Sequence, residues 1–253
     1  MNTRTTQIII SLGLAITIWL ILITLAAIFS SFPTTSRVIM LLGGTSNAFI
    51  HILIYAAFCY GLLELKNNHK FVKKQYEGFQ LNLLPVEDQL VISPQEVAKI
   101  KLSAIDLEKR GFQFLIAHFI KKACTQYRND QSISDTLQVL DAQVDNNKFE
   151  REGNLEMVRY MINAIVSLGF IGTLIGLSTA IGLSHLAQTE EGMPEITRHL
   201  NMAFDTTLVA LLLGLVLNFF YHRYLEDLDT FYSRAKSYII DNLISRIYIN
   251  KVI

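Results

Sequence analysis

Long apolar runs alternate along this chain with stretches that carry charge at helical spacing. Four of the runs exceed the roughly 20 residues a helix needs to cross a bilayer. They extend from Ile8 to Phe32, Val38 to Leu63, Tyr160 to Leu186 and His199 to Tyr221. The first is longer than the apolar core of a signal peptide, and no small-residue cleavage pattern follows it, so a retained helix is expected. Spans one and two form a hairpin joined by "SFPTTSR", where Pro33 and the hydroxyl cluster break the helix. The pattern predicts a transmembrane hairpin over 1–63, a helical insertion over 64–157, a second transmembrane pair over 158–222 and a C-terminal helix over 223–253.

Inside the insertion, Ser93 and Pro94 occupy N-cap and first-turn positions, with Glu96 three residues after the cap. Apolar residues then recur at helical spacing: Val97, Ile100, Ile105, Phe112, Leu115, Ile116 and Phe119. A second helix, from about Ser134, is expected to run without interruption into span three. Beyond span four, "RYLEDLDTFYSRAKSYIIDNLISRIY" stays amphipathic and extends the last helix past the membrane.

Composition supports the membrane reading. The 253 residues are 51% hydrophobic and 17% charged, with a mean hydropathy of +0.34. That is too apolar for an ordinary soluble domain. Formal net charge is zero and no basic cluster has interleaved aromatics, so nothing points to nucleic acid. Cys59 and Cys124 form no CxxC pair, and neither a disulfide nor a zinc site is expected. No nucleophile–base set, phosphate-cradling loop or metal-ligand spacing occurs, so no enzyme activity and no cofactor are expected. Lysines and arginines flank the spans on the side of the insertion and both termini. The positive-inside rule therefore places these in the cytoplasm and the two tight loops outside.

The candidate chemistry lies in spans three and four. Gly172, Gly176, Ala180 and Ser184 are spaced by four, with Gly169 just before them. Ala203, Thr207, Ala210, Gly214 and Asn218 share one face of the next span. Small-residue strips let helix backbones approach closely in lipid. Two readings stay open: packing within one subunit, or walls of a polar crevice lined by Thr173 and Thr207. A threonine that bonds its own helix's carbonyl one turn back is the ordinary alternative for each. Asp205 is the one acidic residue inside a span, and a mid-bilayer carboxylate costs about 2.5–3.5 kcal/mol on insertion scales. It sits about 200° around the helix from Thr207, and either an ion-pathway role or a hydrogen bond between helices fits it. Asn47, His51 and Tyr55 form a polar stripe on span two, where His51 is either a satisfied packing residue or a proton relay.

"GFIGTLIGL" followed by "AFDTTLVALLLGL" resembles the MotA/TolQ/ExbB proton channel family over residues 155 to 225. That family has Gly-x-x-Gly-Thr in one helix and Ala-x-x-x-Thr in the next. The resemblance implies an all-α inner-membrane subunit of a bacterial ion-driven motor, assembled as a homopentameric ring. Within the ring would stand two copies of a single-span MotB/TolR/ExbD-like partner that carries the proton-binding aspartate, with H⁺ or Na⁺ as coupling ion. Thr173 and Thr207 match the family's threonines, and Thr206 is a neighbour that some relatives share. With Asp205 and Asn218 they make up the candidate ion pathway. Gly169, Gly172, Gly176, Ala180, Ala203, Ala210 and Gly214 are the candidate packing residues. Four spans resemble the MotA branch, in which charges on the insertion engage the driven partner. Glu108, Lys109 and Arg110 are the candidates here, on a face shared with Lys99, Lys101, Lys121 and Lys122. The chain departs from many relatives in having Val166, Ser167 and Leu168 where a proline often precedes the motif, and Met202 where some carry an acid. One rival reading is a non-conducting oligomeric scaffold that recruits a cytoplasmic partner. Another is a small-solute transporter, against which the uninterrupted spans argue.

Overall fold

The computed structural model describes residues 3–29, 32–43, 49–85 and 91–247. Among these the chain is all-helical apart from a single bridge between Ile92 and Ile247. Its helices are α1 (Thr3–Ile28), α2 (Pro33–Leu41), α3 (Phe49–Tyr76), α4 (Pro94–Lys109), α5 (Leu115–Asp130), α6 (Ile133–Gly153), α7 (Glu156–Gly182) and α8 (Gly192–Asn242). Four helical stretches are long and apolar enough to cross a membrane: Thr5–Ile28, Phe49–Leu81, Ile133–Gly182 and Gly192–Arg246. This is a multi-pass membrane protein. It divides into unit 1 (Met1–Asn67 with Leu155–His222) and unit 2 (Asn68–Asn154 with Arg223–Ile253).

In unit 1, α1 exposes large apolar side chains on all sides, Ile9, Leu20 and Ile21 among them. Its hydroxyls turn back onto their own helix: Thr17 donates to Leu14 O and Thr24 to Ile21 O, each at 2.8 Å. Such a surface suits lipid, which offers no hydrogen-bond partner.

The next element corrects the expected start of span two at Val38, because Val38 lies inside the separate short helix α2. Pro33 opens α2 in its first turn, where its fixed φ is helical and its missing N–H costs nothing. Gly43 follows the helix end with a φ of +95°, where a Cβ would also meet the His51 ring at 2.8 Å. The membrane helix α3 starts only at Phe49. Asn47 lies outside the described residues.

Two more boundaries differ from expectation. The helix foreseen from Ser134 into span three is interrupted: α6 closes where the Asn154 N–H bonds Glu150 O and Glu152 O, and α7 begins at Glu156. Gly153 and Asn154 are poor helix formers, and the break falls on them. The apolar period from Val97 to Phe119 likewise covers two helices. Gly111, at φ +89°, turns the chain between α4 and α5.

Unit 2 builds on that α4–α5 hairpin. Ser93 and Glu96 form the expected capping box, with the Ser93 N–H donating to Glu96 Oε2 at 2.7 Å. The start of α5 is capped from a distance, its Leu115 N–H donating to Oε1 of buried Gln75 at 2.7 Å. The core holds Phe119, Ile120, Leu140, Leu228 and Phe231. Tyr76 and Phe79 meet Phe231 edge-on at centroid distances of 5.3 and 5.9 Å, a geometry worth about 0.5–1.5 kcal/mol per pair beyond area burial. Lys148–Asp229 and Lys236–Asp141, both 2.9 Å, tie α6 to the end of α8. Cys124 is buried in α5, where desolvation pushes its thiol up to about 12, so it behaves as a small apolar residue.

The feature that orders unit 1 is the seam between α7 and α8. A Cβ on Gly169 would strike that of Ala210, one on Gly172 would lie 2.7 Å from Thr206 Cβ, and one on Gly176 2.6 Å from Ala203 Cβ. Falling numbers on one helix face rising numbers on the other, so the pair is antiparallel. The two small-residue strips are thus used against each other inside one chain. That is the packing reading of the strips.

The seam makes a graded prediction for thermal unfolding in detergent. Gly176→Ala should lower the midpoint, because the new methyl lies 2.9 Å from the Ala203 backbone Cα. Overpacking of that kind costs about 1–3 kcal/mol. Gly214→Ala should be neutral or slightly stabilising, because its nearest neighbour is a single Val166 methyl at 3.3 Å, with no backbone atom in reach, and helix propensity gains about 1 kcal/mol. Equal midpoints for the two variants would refute the close approach.

Candidate functional site

Most hydroxyls in the spans serve their own helix, as Thr179 does in donating to Ile175 O at 2.8 Å. Thr173 and Thr207 behave differently. Their Oγ1 atoms hydrogen-bond each other across the α7–α8 seam. Each also reaches the other helix's backbone: Thr173 donates to Ala203 O at 3.2 Å and Thr207 to Gly169 O at 3.0 Å. Bonds of 3.3 and 3.4 Å to the carbonyls of their own helices are within reach as well. Two hydroxyl protons thus share several acceptors, and the network can reorient by bond rotation alone. Both residues are half-buried, so the pair is open on one side.

Small neighbours make the bridge possible. Gly169 stands one turn from Thr173 and Ala203 one turn from Thr207, and each brings a carbonyl within reach of the opposite hydroxyl. Thr206, which the sequence groups with the pathway, is buried and donates to Ala203 O at 2.9 Å. It packs on Gly172 inside the seam.

The open side is flanked by Phe170 and Phe204, 61% and 63% exposed. Each lies three residues before its threonine, and because the helices are antiparallel, the rings fall on opposite sides of the hydroxyl pair along the axis. The repeated Phe-x-x-Thr spacing is the sequence signal for this bracket, and helical periodicity alone does not single it out.

Asp205 faces elsewhere. Its carboxylate, 8% exposed, accepts two parallel bonds from the Arg37 guanidinium of α2, at 2.6 and 2.8 Å. Of the two roles open to Asp205, the observed one is a bond between helices. Arg37 is a partner that sequence reasoning missed, since 168 positions separate the two and no local pattern joins them. On span two, His51 Nε2 lies 3.2 Å from Leu41 O and the Tyr55 hydroxyl donates to Leu42 O at 2.7 Å. Both therefore bind the carbonyl end of α2. Asn218 is half-exposed beside Leu215, Phe219 and His222, away from the hydroxyl pair.

The fold and this bracketed hydroxyl pair can be set beside known proteins. The model of the MotA/TolQ/ExbB proton channel family matches residues 113–236, just under half of the chain, from the α4–α5 turn into the last part of α8. Over this segment the chain is similar to the MotA/TolQ/ExbB proton channel family. Comparison with curated proteins and with solved structures returned no match.

Of the charged face, Lys121 and Lys122 fall inside the matched segment. Glu108 lies just before it and is not free to engage a partner, because Lys121 of α5 pairs with both its oxygens, the longer bond at 2.7 Å. His118 stands 3.9 Å from the same carboxylate. Burial, with Lys121 and Lys122 nearby, pushes the His118 pKa below the usual histidine value. Arg110 makes an exposed pair with Asp106 one turn away, at 2.7 Å, and Lys109 is exposed. The three candidates therefore divide into a hairpin brace, Glu108, and two surface cations.

Reversing them separately should show this division. Glu108→Lys removes the cross-helix pair and sets two cations together, and should destabilise the α4–α5 hairpin by about 1–3 kcal/mol. Lys109→Glu with Arg110→Glu should change stability by less than about 0.5 kcal/mol. Limited proteolysis at the α4–α5 turn in native membranes reads both, and equal cleavage in the two variants would contradict the brace.

Proposed function

We propose that this protein is the channel-forming subunit of an inner-membrane ion-driven motor or energy-transducing complex. Like chains would form a ring, five by family resemblance, around two copies of a single-span MotB/TolR/ExbD-like partner. The reading rests above all on the Thr173–Thr207 hydroxyl pair: it bridges the two helices of the family segment, is open on one side and is bracketed by apolar rings.

In this reading the partner's carboxyl group carries the ion. Ionised, it needs hydrogen-bond donors, and the threonine hydroxyls are the donors on the open face. Each can turn its proton outward while its oxygen keeps a bond from the other. Protonated, the acid has lost its charge and can pass Phe170 or Phe204, where an ion would be stripped of all its partners. One protonation event thus shifts the balance between two packings of the partner against the wall. Both termini and unit 2 would lie in the cytoplasm, and Lys109 and Arg110 would be available to whatever the motor drives.

The test is ion flux through the complex in vesicles, with its partner present. Thr173→Val with Thr207→Val keeps shape but removes both hydroxyls. Flux should fall about 5- to 150-fold, since two hydrogen bonds worth about 0.5–1.5 kcal/mol each are lost, while membrane level and oligomer size stay normal. Thr→Ser at both positions should conduct. Flux under a proton gradient and a sodium gradient separately identifies the ion. Normal flux in the double Val variant would remove the pair from the pathway. An assembled wild-type complex that conducts neither ion would mark the protein as a scaffold.

A further inference from the structure

Arg37 is the one positively charged residue between the first two spans. Its guanidinium bonds Asp205 as a planar fork, Nη1–H to Oδ2 and Nη2–H to Oδ1. A bidentate pair of this kind fixes orientation as well as distance. The other ion pairs Arg198–Glu195 and Arg159–Glu156 of unit 1 span less than one turn of a single helix. The Arg37 pair instead joins α2 to α8.

Nor is α2 loose. Tyr55 and His51 of α3 bind its terminal carbonyls at Leu42 and Leu41. Gly43 lies so close to the His51 ring that a side chain there would clash. A line of polar contacts therefore runs from α3 through α2 to Asp205. Asp205 is one residue before Thr206, which packs on Gly172, and two before Thr207, which meets Thr173.

Asp205 lies about 200° around α8 from Thr207, so it cannot touch the hydroxyl pair. That placement gives it leverage: a roll of α8 that moves Asp205 one way moves Thr207 the other. Beside the ion pair lies a cavity of about 460 Å³, bordered by Met40, Met193 and Met202. The carboxylate has space to swing once the fork is gone. We infer that Arg37 is a positioning residue, which through its fork to Asp205 sets the rotation of α8 and so keeps Thr207 in register with Thr173. The functional weight of this rests on the threonine pair being the working element of the channel.

Crosslinking tests the register without requiring ion flow. In the full chain in membranes, Thr173→Cys with Thr207→Cys should form a disulfide rapidly under mild oxidation, since disulfide geometry tolerates little displacement. Adding Arg37→Ala should slow its formation at least about tenfold, and adding the swap Arg37→Asp with Asp205→Arg should restore the rate to within about threefold. Arg37→Lys keeps the charge but loses the fork and should slow it by an intermediate amount. It carries the test if Arg37→Ala fails to accumulate. A fall in thermal stability with an unchanged crosslinking rate would overturn the inference, as would failure of the swap to rescue. Ion flux through the same variants with both threonines intact should fall in the same order. If the protein is no channel, the crosslinking result still stands or falls alone.

Discussion

Direct contact between two helix backbones in an apolar medium is the constraint on which unit 1 depends. Lipid provides no hydrophobic push between helices, so association relies on close packing and on polar bonds that lipid cannot replace. The α7–α8 seam uses both. Glycine and alanine bring the backbones together, and only at that separation can a threonine hydroxyl on one helix reach a carbonyl on the other. Wider spacing would leave each hydroxyl with its own helix alone, as with Thr17 and Thr24 of α1. The glycines and the threonines are therefore one feature, and the geometry of the second follows from the first.

The same dependence explains what the amino-acid order reveals and what it hides. Helix existence was legible from periodicity, and the start of α4 from Ser93, Pro94 and Glu96, because these are local effects. Thr173 and Thr207 stood out through their place among small residues. What fills a small-residue face is not local: spacing by four marks a strip as narrow, and the identity of its partner belongs to tertiary structure. Here the partner of each strip is the other. Arg37 and Asp205 show the limit most clearly, since a pair separated by 168 positions leaves no trace in either neighbourhood.

Breaks were harder to foresee than helices. Pro33 reads as an interruption and proves to be a beginning, since the residue that cannot continue a helix is well suited to start one. Gly111 lies inside an unbroken apolar period because α4 and α5 both bury a face, and two helices in antiparallel register can carry one rhythm across their turn. Glu108 read as a charge facing the driven partner for a related reason: its cation stands 13 positions away, beyond the turn.

α1 differs from every other long helix in the chain. In its most apolar stretch only 11% of residues are buried. Ser11 and Ala15, one turn apart, are the buried ones among its described side chains. A surface recognised by solvent alone stores little information in the order of its residues. For most of α1, length and average greasiness are the specification, and a shuffled sequence of the same composition meets it equally well. Selection on this helix should therefore act on composition, leaving identity free to drift except at one small notch, whereas along the seam each position is held to a particular side chain.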